Sequence, residues 1–393
     1  LSNFGLILIA LLPLVTLMAA VMLSISTYAR NIKEAQSYQM PIMFGGMMLA
    51  MISMLPGFEL TVGFALIPII NFSLLFKEIM MGNFDLFKFL IVIGSTVALD
   101  IVAILFSLKL FNKESVLFRT AEEKSLKFWG KDKKNVLSPQ IAFLFFLLIL
   151  LALFYQGAAW QSADISSGLI KTQIFIILLP TILLLRISRS NIKSTIGLNR
   201  TEPVNFLLTA LMAIPMIVIA VSLGELINLV FPISQSYLER MQELLTAEPG
   251  NLLNTLLLLA VLPGICEETM FRGYILSAFR KSGFSTALII SALLFGILHL
   301  DPFRLIPVTL LGVYLGFLML RSNSIYIPMF AHFLNNGLAV LITNFGDKIP
   351  FLEYFFQDSI RILWLLIPSI FIMYALLKLF NRINLTQQVI GED

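Results

Sequence analysis

Long apolar stretches dominate this sequence, and they restrict the folds that it can adopt more than any other feature. Hydrophobic residues make up 58% of the 393 positions and charged residues only 13%, which excludes a soluble globular protein. A helix of about 20 apolar residues crosses a bilayer, so we predict an all-α, polytopic transmembrane helix bundle with about twelve membrane segments. They are expected approximately at 4–23, 41–58, 61–76, 87–111, 140–156, 168–187, 204–231, 251–279, 284–299, 302–320, 324–344 and 361–380.

Several classes of function are excluded or restricted by what the sequence contains. Cys266 is the single cysteine, so an intrachain disulfide is impossible. Neither a phosphate-binding P-loop motif nor a dinucleotide-binding glycine motif occurs, so ATP-driven work would need another subunit. The basic residues lie in loops between the apolar segments, and we therefore expect no nucleic-acid partner.

The basic residues predict the orientation of the chain in a membrane. They concentrate in the loop 112–138 and in other loops that follow even-numbered segments. Cytoplasmic loops carry an excess of lysine and arginine, which places both observed ends in the cytoplasm. Arg30, Lys33 and Lys77 lie on the opposite side and weaken this assignment. We expect an integral protein of the cell (inner) membrane.

A polar cluster interrupts the apolar segment near residue 267, where the sequence reads ICEETMFRGY. Glu268 and Arg272 are four residues apart and so share a helix face, a spacing that suits an ion pair. Glu267 is rotated by about 100° from Glu268 and points elsewhere. The three residues could form only a helix-locking network. However, two glutamates against one arginine leave one carboxylate without a cation, and such a group suits a general base.

The only two histidines of the chain, His299 and His332, also lie in apolar segments. Each one alone is compatible with a structural role, His299 as a core or interfacial residue and His332 with Asn336 as a polar helix contact. Counted along the helices, Glu267 and His299 fall roughly 20 Å and His332 roughly 10–12 Å from the cytoplasmic ends. Because ionisable residues inside a membrane usually have a function, this similar depth predicts one buried site.

These motifs resemble the CPBP family of intramembrane proteases, which contains the type II CAAX prenyl endopeptidases and the bacterial bacteriocin-processing or self-immunity proteins. The pattern E-E-x-x-x-R, F-x-x-x-H, H-x-x-x-N occurs in the family's order over roughly 200–345. The resemblance implies that Glu267 and His299 activate a water and that His332 and Asn336 stabilise the oxyanion. Glu268, Arg272 and Phe295 would then shape the site.

A metal-dependent version of the site stays open at this point. The resemblance to a family often labelled metalloprotease implies either no cofactor or one Zn²⁺. In the second case Glu267, His299 and His332 would be the ligands, with a fourth position open. A thiol mechanism through Cys266 is less favoured, since a lone cysteine in a membrane helix is usually an apolar filler.

The N-terminal part is similar to a different family. The stretch from Pro56 through ALIPIINFSLLFKE looks like the last membrane segments of ABC-2 type permeases of the sodium-efflux kind. This resemblance implies that 1–111 is the end of a permease. The sequence begins inside an apolar run, so we expect this part to be a possible fragment of something longer. The remaining divisions are a basic cytoplasmic loop (112–139), connecting helices and a linker (140–203), the protease core (204–345), and a final membrane helix with a tail (346–393).

Two functions are thus predicted from the sequence, from different classes. The first is an intramembrane endopeptidase that acts on a peptide or protein substrate within the bilayer. The alternative is an ABC-2-type permease subunit that uses its buried Glu, Arg and His residues for ion or solute passage, with a separate ABC ATPase as partner.

Overall fold

The computed structural model describes residues 3–27, 58–111, 137–187, 191–247, 251–356 and 359–390, with a few isolated positions between 35 and 53. All elements within these ranges are helices, and no strand occurs among them. The chain divides into two compact units, Leu1–Phe128 with Ile227–Leu238, and Trp129–Leu226 with Glu239–Asp393. The all-α fold class that the sequence predicts is therefore confirmed.

The first unit is held together by polar contacts between its two long helices. Its helices are α1 (Asn3–Ser26), α2 (Val62–Ala65), α3 (Ile70–Met80) and α4 (Leu86–Phe111). Thr16 on α1 donates a hydrogen bond to Asp100 on α4, with 2.6 Å between Oγ1 and Oδ2. Two turns further along, the hydroxyl groups of Ser24 and Ser107 are also hydrogen-bonded. Such interhelical hydrogen bonds are a common means of joining membrane helices.

The sequence predicts either a separate span at 61–76 or one re-entrant unit formed with 41–58, and a continuous span over 61–76 is not observed. The segment forms the short helix α2 and the start of α3, which are separated at Ile69, where φ is +74°. A β-branched residue at positive φ is strained and cannot continue a right-handed helix. The carbonyl oxygen of Ala65 accepts hydrogen bonds from Asn71 (3.2 Å) and Ser95 (2.7 Å), which satisfy it at the break. The neighbouring prediction at 41–58 lies mostly outside the described residues.

The second unit contains the helices that carry all the polar clusters. In chain order they are α5 (Pro139–Ala163), α6 (Ile165–Ile187), α7 (Ile192–Ile196), α8 (Pro203–Val230), α9 (Gln235–Leu245), α10 (Leu252–Ser282), α11 (Phe284–Leu298), α12 (Pro302–Ser322), α13 (Tyr326–Phe345), α14 (Pro350–Phe356), α15 (Ser359–Trp364) and α16 (Leu366–Ile390). Residues 227–230 of α8 and 235–238 of α9 are grouped with the first unit.

Eight helices of the described residues are long and apolar enough to cross a membrane, fewer than the twelve segments predicted. Helix α11 has only 15 residues and counts as a shorter apolar helix. Helix α13 has 20 residues, but His332, Asn335 and Asn336 lower its mean hydropathy. The polar residues that predict a site are thus also the residues that weaken the signal of a membrane span. The fold is nevertheless that of an all-α polytopic membrane protein.

Helices α11 and α12 approach each other closely because small residues face each other. A Cβ atom added to Gly312 would lie 3.0 Å from the Cα atom and 3.1 Å from the carbonyl oxygen of Ala292. Both contacts are shorter than ordinary van der Waals distances and involve backbone, which cannot rotate away. Small residues at such positions allow close helix packing within membranes.

We expect Gly312→Ala to destabilise the second unit by about 1–3 kcal/mol, since α12 must move away from α11. Gly224→Ala is the matched control, because a Cβ at this helical position would meet nothing within 4 Å. Thermal unfolding in detergent measures both variants. An unchanged midpoint for Gly312→Ala, with Gly224→Ala equal or slightly higher, would contradict the close packing of α11 and α12.

Candidate active site

The two adjacent glutamates lie between two π-helical segments of α10. The α-helical stretch Leu262–Glu268 is preceded by the π-helical segment Leu257–Val261 and followed by another, Thr269–Ile275. π-Helical turns are rare and often mark functional sites. Glu267 and Glu268 are both buried. Burial of two carboxyl groups side by side is costly, so each one requires specific partners.

Glu268 is the centre of a buried charged network. Its Oε1 atom accepts a hydrogen bond from Nη1 of Arg272 at 2.9 Å, which is the ion pair that the sequence spacing predicts. The same oxygen lies 2.8 Å from Nδ1 of His332 on α13. A carboxylate can only accept, so Nδ1 of His332 carries a proton, and Nε2 is the nitrogen left for other partners. The network joins α10 to α13.

Arg272 is fully buried, and its contacts extend the network to α12 and α11. Its Nη2 atom donates a hydrogen bond to the carbonyl oxygen of Gly312 at 3.0 Å. Its guanidinium carbon lies 4.4 Å from the ring centroid of Phe295, a distance that suits a cation–π interaction. The Nε atom of Arg272 is buried and has no hydrogen-bond partner among the described residues.

The ring of Phe295 contacts both histidines. Its centroid lies 5.1 Å from that of His299 and 5.7 Å from that of His332, both in edge-on arrangements. A third edge-on contact joins it to Phe271 at 5.1 Å. Phe295 is fully buried, so it is a fixed hydrophobic wall on which the imidazole rings and Arg272 are packed.

His299 ends α11 and is held by its own helix. Its Nδ1 atom lies 3.0 Å from the carbonyl oxygen of Phe295, and because a carbonyl only accepts, Nδ1 carries the proton. In the neutral ring, Nε2 then has a free lone pair and is able to accept a proton or a hydrogen bond.

Glu267 has a partner that the sequence reasoning missed. Gln173 lies in the π-helical segment Thr172–Leu178 of α6, and its Nε2 atom donates to Oε1 of Glu267 at 2.7 Å. The second carboxyl oxygen, Oε2, is buried and has no hydrogen-bond partner among the described residues. Glu267 also interacts electrostatically with His332. A buried glutamine in an otherwise apolar segment is a signal that could have identified Gln173.

Two hydrogen bonds hold the side chain of Asn336 on α13. Its Nδ2 atom donates to the carbonyl oxygen of Leu259 at 2.9 Å, and its Oδ1 atom accepts from Asn335 at 3.1 Å. Leu259 lies in a π-helical segment. The side chain of Asn336 thus links α13 to α10, and one of its two amide hydrogens is already used.

Close contact of α10 and α13 also depends on a glycine. A Cβ atom at Gly264 would lie 3.2 Å from the carbonyl oxygen of Met329 and 3.9 Å from Cβ of His332. Gly264 therefore lets α13 approach the helix that carries the two glutamates. His332 and Glu268 are at hydrogen-bonding distance, so these two residues lie at a similar level along their helices.

The side chains that could bind Zn²⁺ are not arranged as a zinc site. Within the described parts of the chain, no three His, Cys, Asp or Glu side chains converge closely enough to hold a metal ion. This includes Glu267, His299 and His332, the set proposed for Zn²⁺ from the sequence. We therefore assign no step to a metal.

Fold and site together define an all-α polytopic membrane protein with a buried network of Glu, Arg and His in its second unit. Comparison with protein families gives a match of residues 249–338 to "Type II CAAX prenyl endopeptidase Rce1-like". This stretch, which contains both glutamates, both histidines, Arg272 and Asn336, is an Rce1-like domain. The resemblance to the CAAX protease group that the motifs predict is confirmed for this part of the chain.

A curated relative points to the same class. The chain is 34% identical over 109 residues to the "Putative membrane peptidase YdiL" of Bacillus subtilis (strain 168). The matched region is 28% of this chain and 43% of the relative, so the chain covers less than half of that protein's length. No solved structure matches the chain. The permease resemblance of 1–111 has no support from these comparisons and stays a prediction.

Proposed function

We propose that the second unit is an intramembrane endopeptidase that hydrolyses a peptide bond with an activated water. The observation that carries the proposal is the state of Glu267 within the Rce1-like domain. One of its carboxyl oxygens is held by Gln173, and the other is buried without a partner beside a network of Glu268, His332 and Arg272. An oriented carboxylate with one free oxygen is suited to general base catalysis.

The water is activated by Glu267 together with His299. Oε2 of Glu267 removes a proton from the water, and Nε2 of His299 accepts a hydrogen bond that orients the same water. The water oxygen attacks the carbonyl carbon of the scissile peptide bond, and a tetrahedral intermediate forms. When this intermediate collapses, the C–N bond breaks, and Glu267 returns its proton to the leaving amine. The products are a carboxylic acid and an amine, and the carboxylate of Glu267 is regenerated.

The developing negative charge on the carbonyl oxygen is stabilised by His332 and Asn336. Nε2 of His332 donates when the ring carries its second proton, and Nδ1 keeps its bond to Glu268 throughout. Asn336 contributes the amide hydrogen that is not bonded to Leu259. Preorganised donors of this kind supply a large part of the rate enhancement in acyl transfer. Glu268 and Arg272 act by holding His332 in place.

The proposal is tested by mapping new peptide termini in the native host. Membranes from cells that express the full chain are compared with membranes from cells that express Glu267→Gln, and cleaved termini are quantified by mass spectrometry. Termini that occur in transmembrane or juxtamembrane segments of other proteins, and only with the unchanged chain, are the expected result. Identical sets of termini in both membranes would overturn the proposal. A peptide identified in this way then serves as the substrate for kinetic assays.

Gln173→Met should reduce kcat by about tenfold or more, because a hydrogen bond to a charged group contributes roughly 1.5–3 kcal/mol. The substitution keeps the side-chain volume but removes the donor that orients Glu267. KM should change little, since Gln173 acts through Glu267 and not on the substrate.

Gln161→Met is the matched control, since Gln161 on α5 donates its hydrogen bond to Thr172, the neighbour of Gln173 on α6, and not to Glu267. Steady-state kinetics with the identified peptide measure both variants. Equal loss of kcat in the two variants would show that Gln173 supports only the local packing.

A further inference from the structure

The carbonyl group that anchors Asn336 is one that a proline leaves without its α-helical donor. In an α-helix the carbonyl oxygen of Leu259 accepts from the N–H of the residue four positions later. That residue is Pro263, which has no N–H group. Nδ2 of Asn336 donates to this carbonyl oxygen at 2.9 Å. Pro263 thus frees an acceptor on α10 for a side chain of α13.

The other end of the Asn336 amide is held by the preceding residue. Nδ2 of Asn335 donates to Oδ1 of Asn336 at 3.1 Å. Because the carbonyl group of Leu259 only accepts, it determines which end of the Asn336 amide is the nitrogen. The bond from Asn335 then opposes rotation of that amide. Two contacts on opposite ends therefore fix both the position and the direction of the amide plane.

Asn335 itself is not fully hydrogen-bonded. Its Oδ1 atom is buried and has no hydrogen-bond partner among the described residues. A buried carbonyl oxygen without a donor lowers stability, so an apolar side chain of similar shape would suit the packing at this position equally well or better. The contact with Asn336 is what such a side chain could not replace.

Helices α10 and α13 are packed together at this level. A Cβ atom at Gly337 would lie 3.8 Å from Cδ2 of Leu256 and 3.9 Å from Cβ of Ala260. Leu256 and Ala260 are on either side of Leu259 along α10, so Gly337 places the start of this helix turn directly beside Asn336. The anchor and the amide are therefore held by backbone packing as well as by hydrogen bonds.

We propose that Pro263 and Asn335 are positioning residues that direct the amide of Asn336. Nδ2 of Asn336 carries two hydrogens, and with one bonded to Leu259 the other has a fixed direction. The inference rests on the proposed function, in which this second hydrogen stabilises the oxyanion. Pro263 and Asn335 act through Asn336 and do not contact the reacting atoms. A displacement of about 1 Å in such a group can cost roughly 10²-fold in rate.

A double-mutant cycle tests the role of Asn335, with steady-state kinetics on the identified peptide. Asn336→Ala should lower kcat by about 10²–10³-fold, as expected for loss of an oxyanion donor. Asn335→Leu should lower kcat by roughly tenfold or more, with little change in KM. Asn335→Leu/Asn336→Ala should be no slower than Asn336→Ala within about twofold, because Asn335 has no effect once its target is absent.

Pro263→Ala separates positioning from stability. The substitution restores an N–H group that competes with Asn336 for the carbonyl oxygen of Leu259. We expect kcat to fall roughly tenfold. The thermal midpoint in detergent should stay equal or rise, since a proline inside a helix is unfavourable. A residue that served only the fold would not combine lower activity with undiminished stability.

Two control variants change the same residue types elsewhere in the second unit. Pro215→Ala removes a proline from the interior of α8, and Asn344→Leu removes an asparagine of α13 that bonds the carbonyl oxygens of Leu245 and Val340. Both controls should keep kcat within about twofold of the unchanged chain, the same margin used in the cycle.

Full activity of Asn335→Leu, or losses that multiply in the double variant, would overturn the positioning role of Asn335. Full activity of Pro263→Ala would overturn that of Pro263. In these cases cleavage still depends on Glu267, so the proposed peptidase function stands. Cleavage that is unchanged in Glu267→Gln would instead overturn the peptidase function, and the positioning roles with it.

Discussion

Glu267→Gln should lower the rate of peptide cleavage by roughly 10²–10⁴-fold, the usual contribution of a general base. Glutamine fills the same volume, and its amide oxygen still accepts the hydrogen bond from Gln173. What it lacks is a carboxylate oxygen that can take a proton from water. The protein should therefore fold and insert as before, while KM for the identified peptide stays close to its original value.

Single-turnover and steady-state kinetics with the identified peptide measure this effect. Glu225→Gln is the matched control, because Glu225 is a half-buried glutamate on α8, outside the polar network. The control should retain nearly full activity. Substantial cleavage by Glu267→Gln, comparable with Glu225→Gln, would exclude Glu267 as the base.

Arg272→Met should destabilise the second unit by about 3–5 kcal/mol, the cost of leaving a buried charge without its partner. Arg272 is fully buried, and it supplies the positive charge opposite Glu268. Methionine leaves Glu268 with His332 alone and also removes the hydrogen bond to Gly312. Thermal or denaturant-induced unfolding in detergent measures the loss of stability.

A second substitution separates charge from packing. In Glu268→Gln/Arg272→Met neither charge of the pair is present, so most of the lost stability should return, since neutral replacement of a buried ion pair is often nearly neutral. Arg186→Met, at an exposed arginine of α6, is the control and should change stability by less than about 0.5 kcal/mol. A double variant that is less stable than Arg272→Met would contradict the proposed charge compensation.

Local spacing predicted part of this site well. Glu268 and Arg272 are four residues apart on one helix, and their ion pair follows from helix geometry alone. Long apolar segments likewise predicted the all-α membrane fold, because bilayer thickness sets a minimum helix length. The grouping of the E-E-x-x-x-R and histidine motifs into one region agrees with the family match at 249–338.

Contacts between different helices could not be predicted from local spacing. The bond between His332 and Glu268 depends on the close approach that Gly264 allows, and no spacing rule joins positions 64 residues apart. Gln173 was missed because its partner, Glu267, is 94 residues away. The break at Ile69 was missed for a different reason, since an apolar β-branched residue gives no sign of a positive φ.

The π-helical turns of α10 affect how related sequences should be aligned with this one. A π turn closes its hydrogen bonds over five residues instead of four, so it accommodates one more residue than an α turn. Deleting one residue within Leu257–Val261 would turn the preceding helix by about 100° relative to Glu267. Leu259 would then no longer offer its carbonyl group to Asn336. A homologue with a one-residue gap here would need a different anchor for its asparagine, and a gap-free helical wheel drawn through this segment would assign residues to the wrong face.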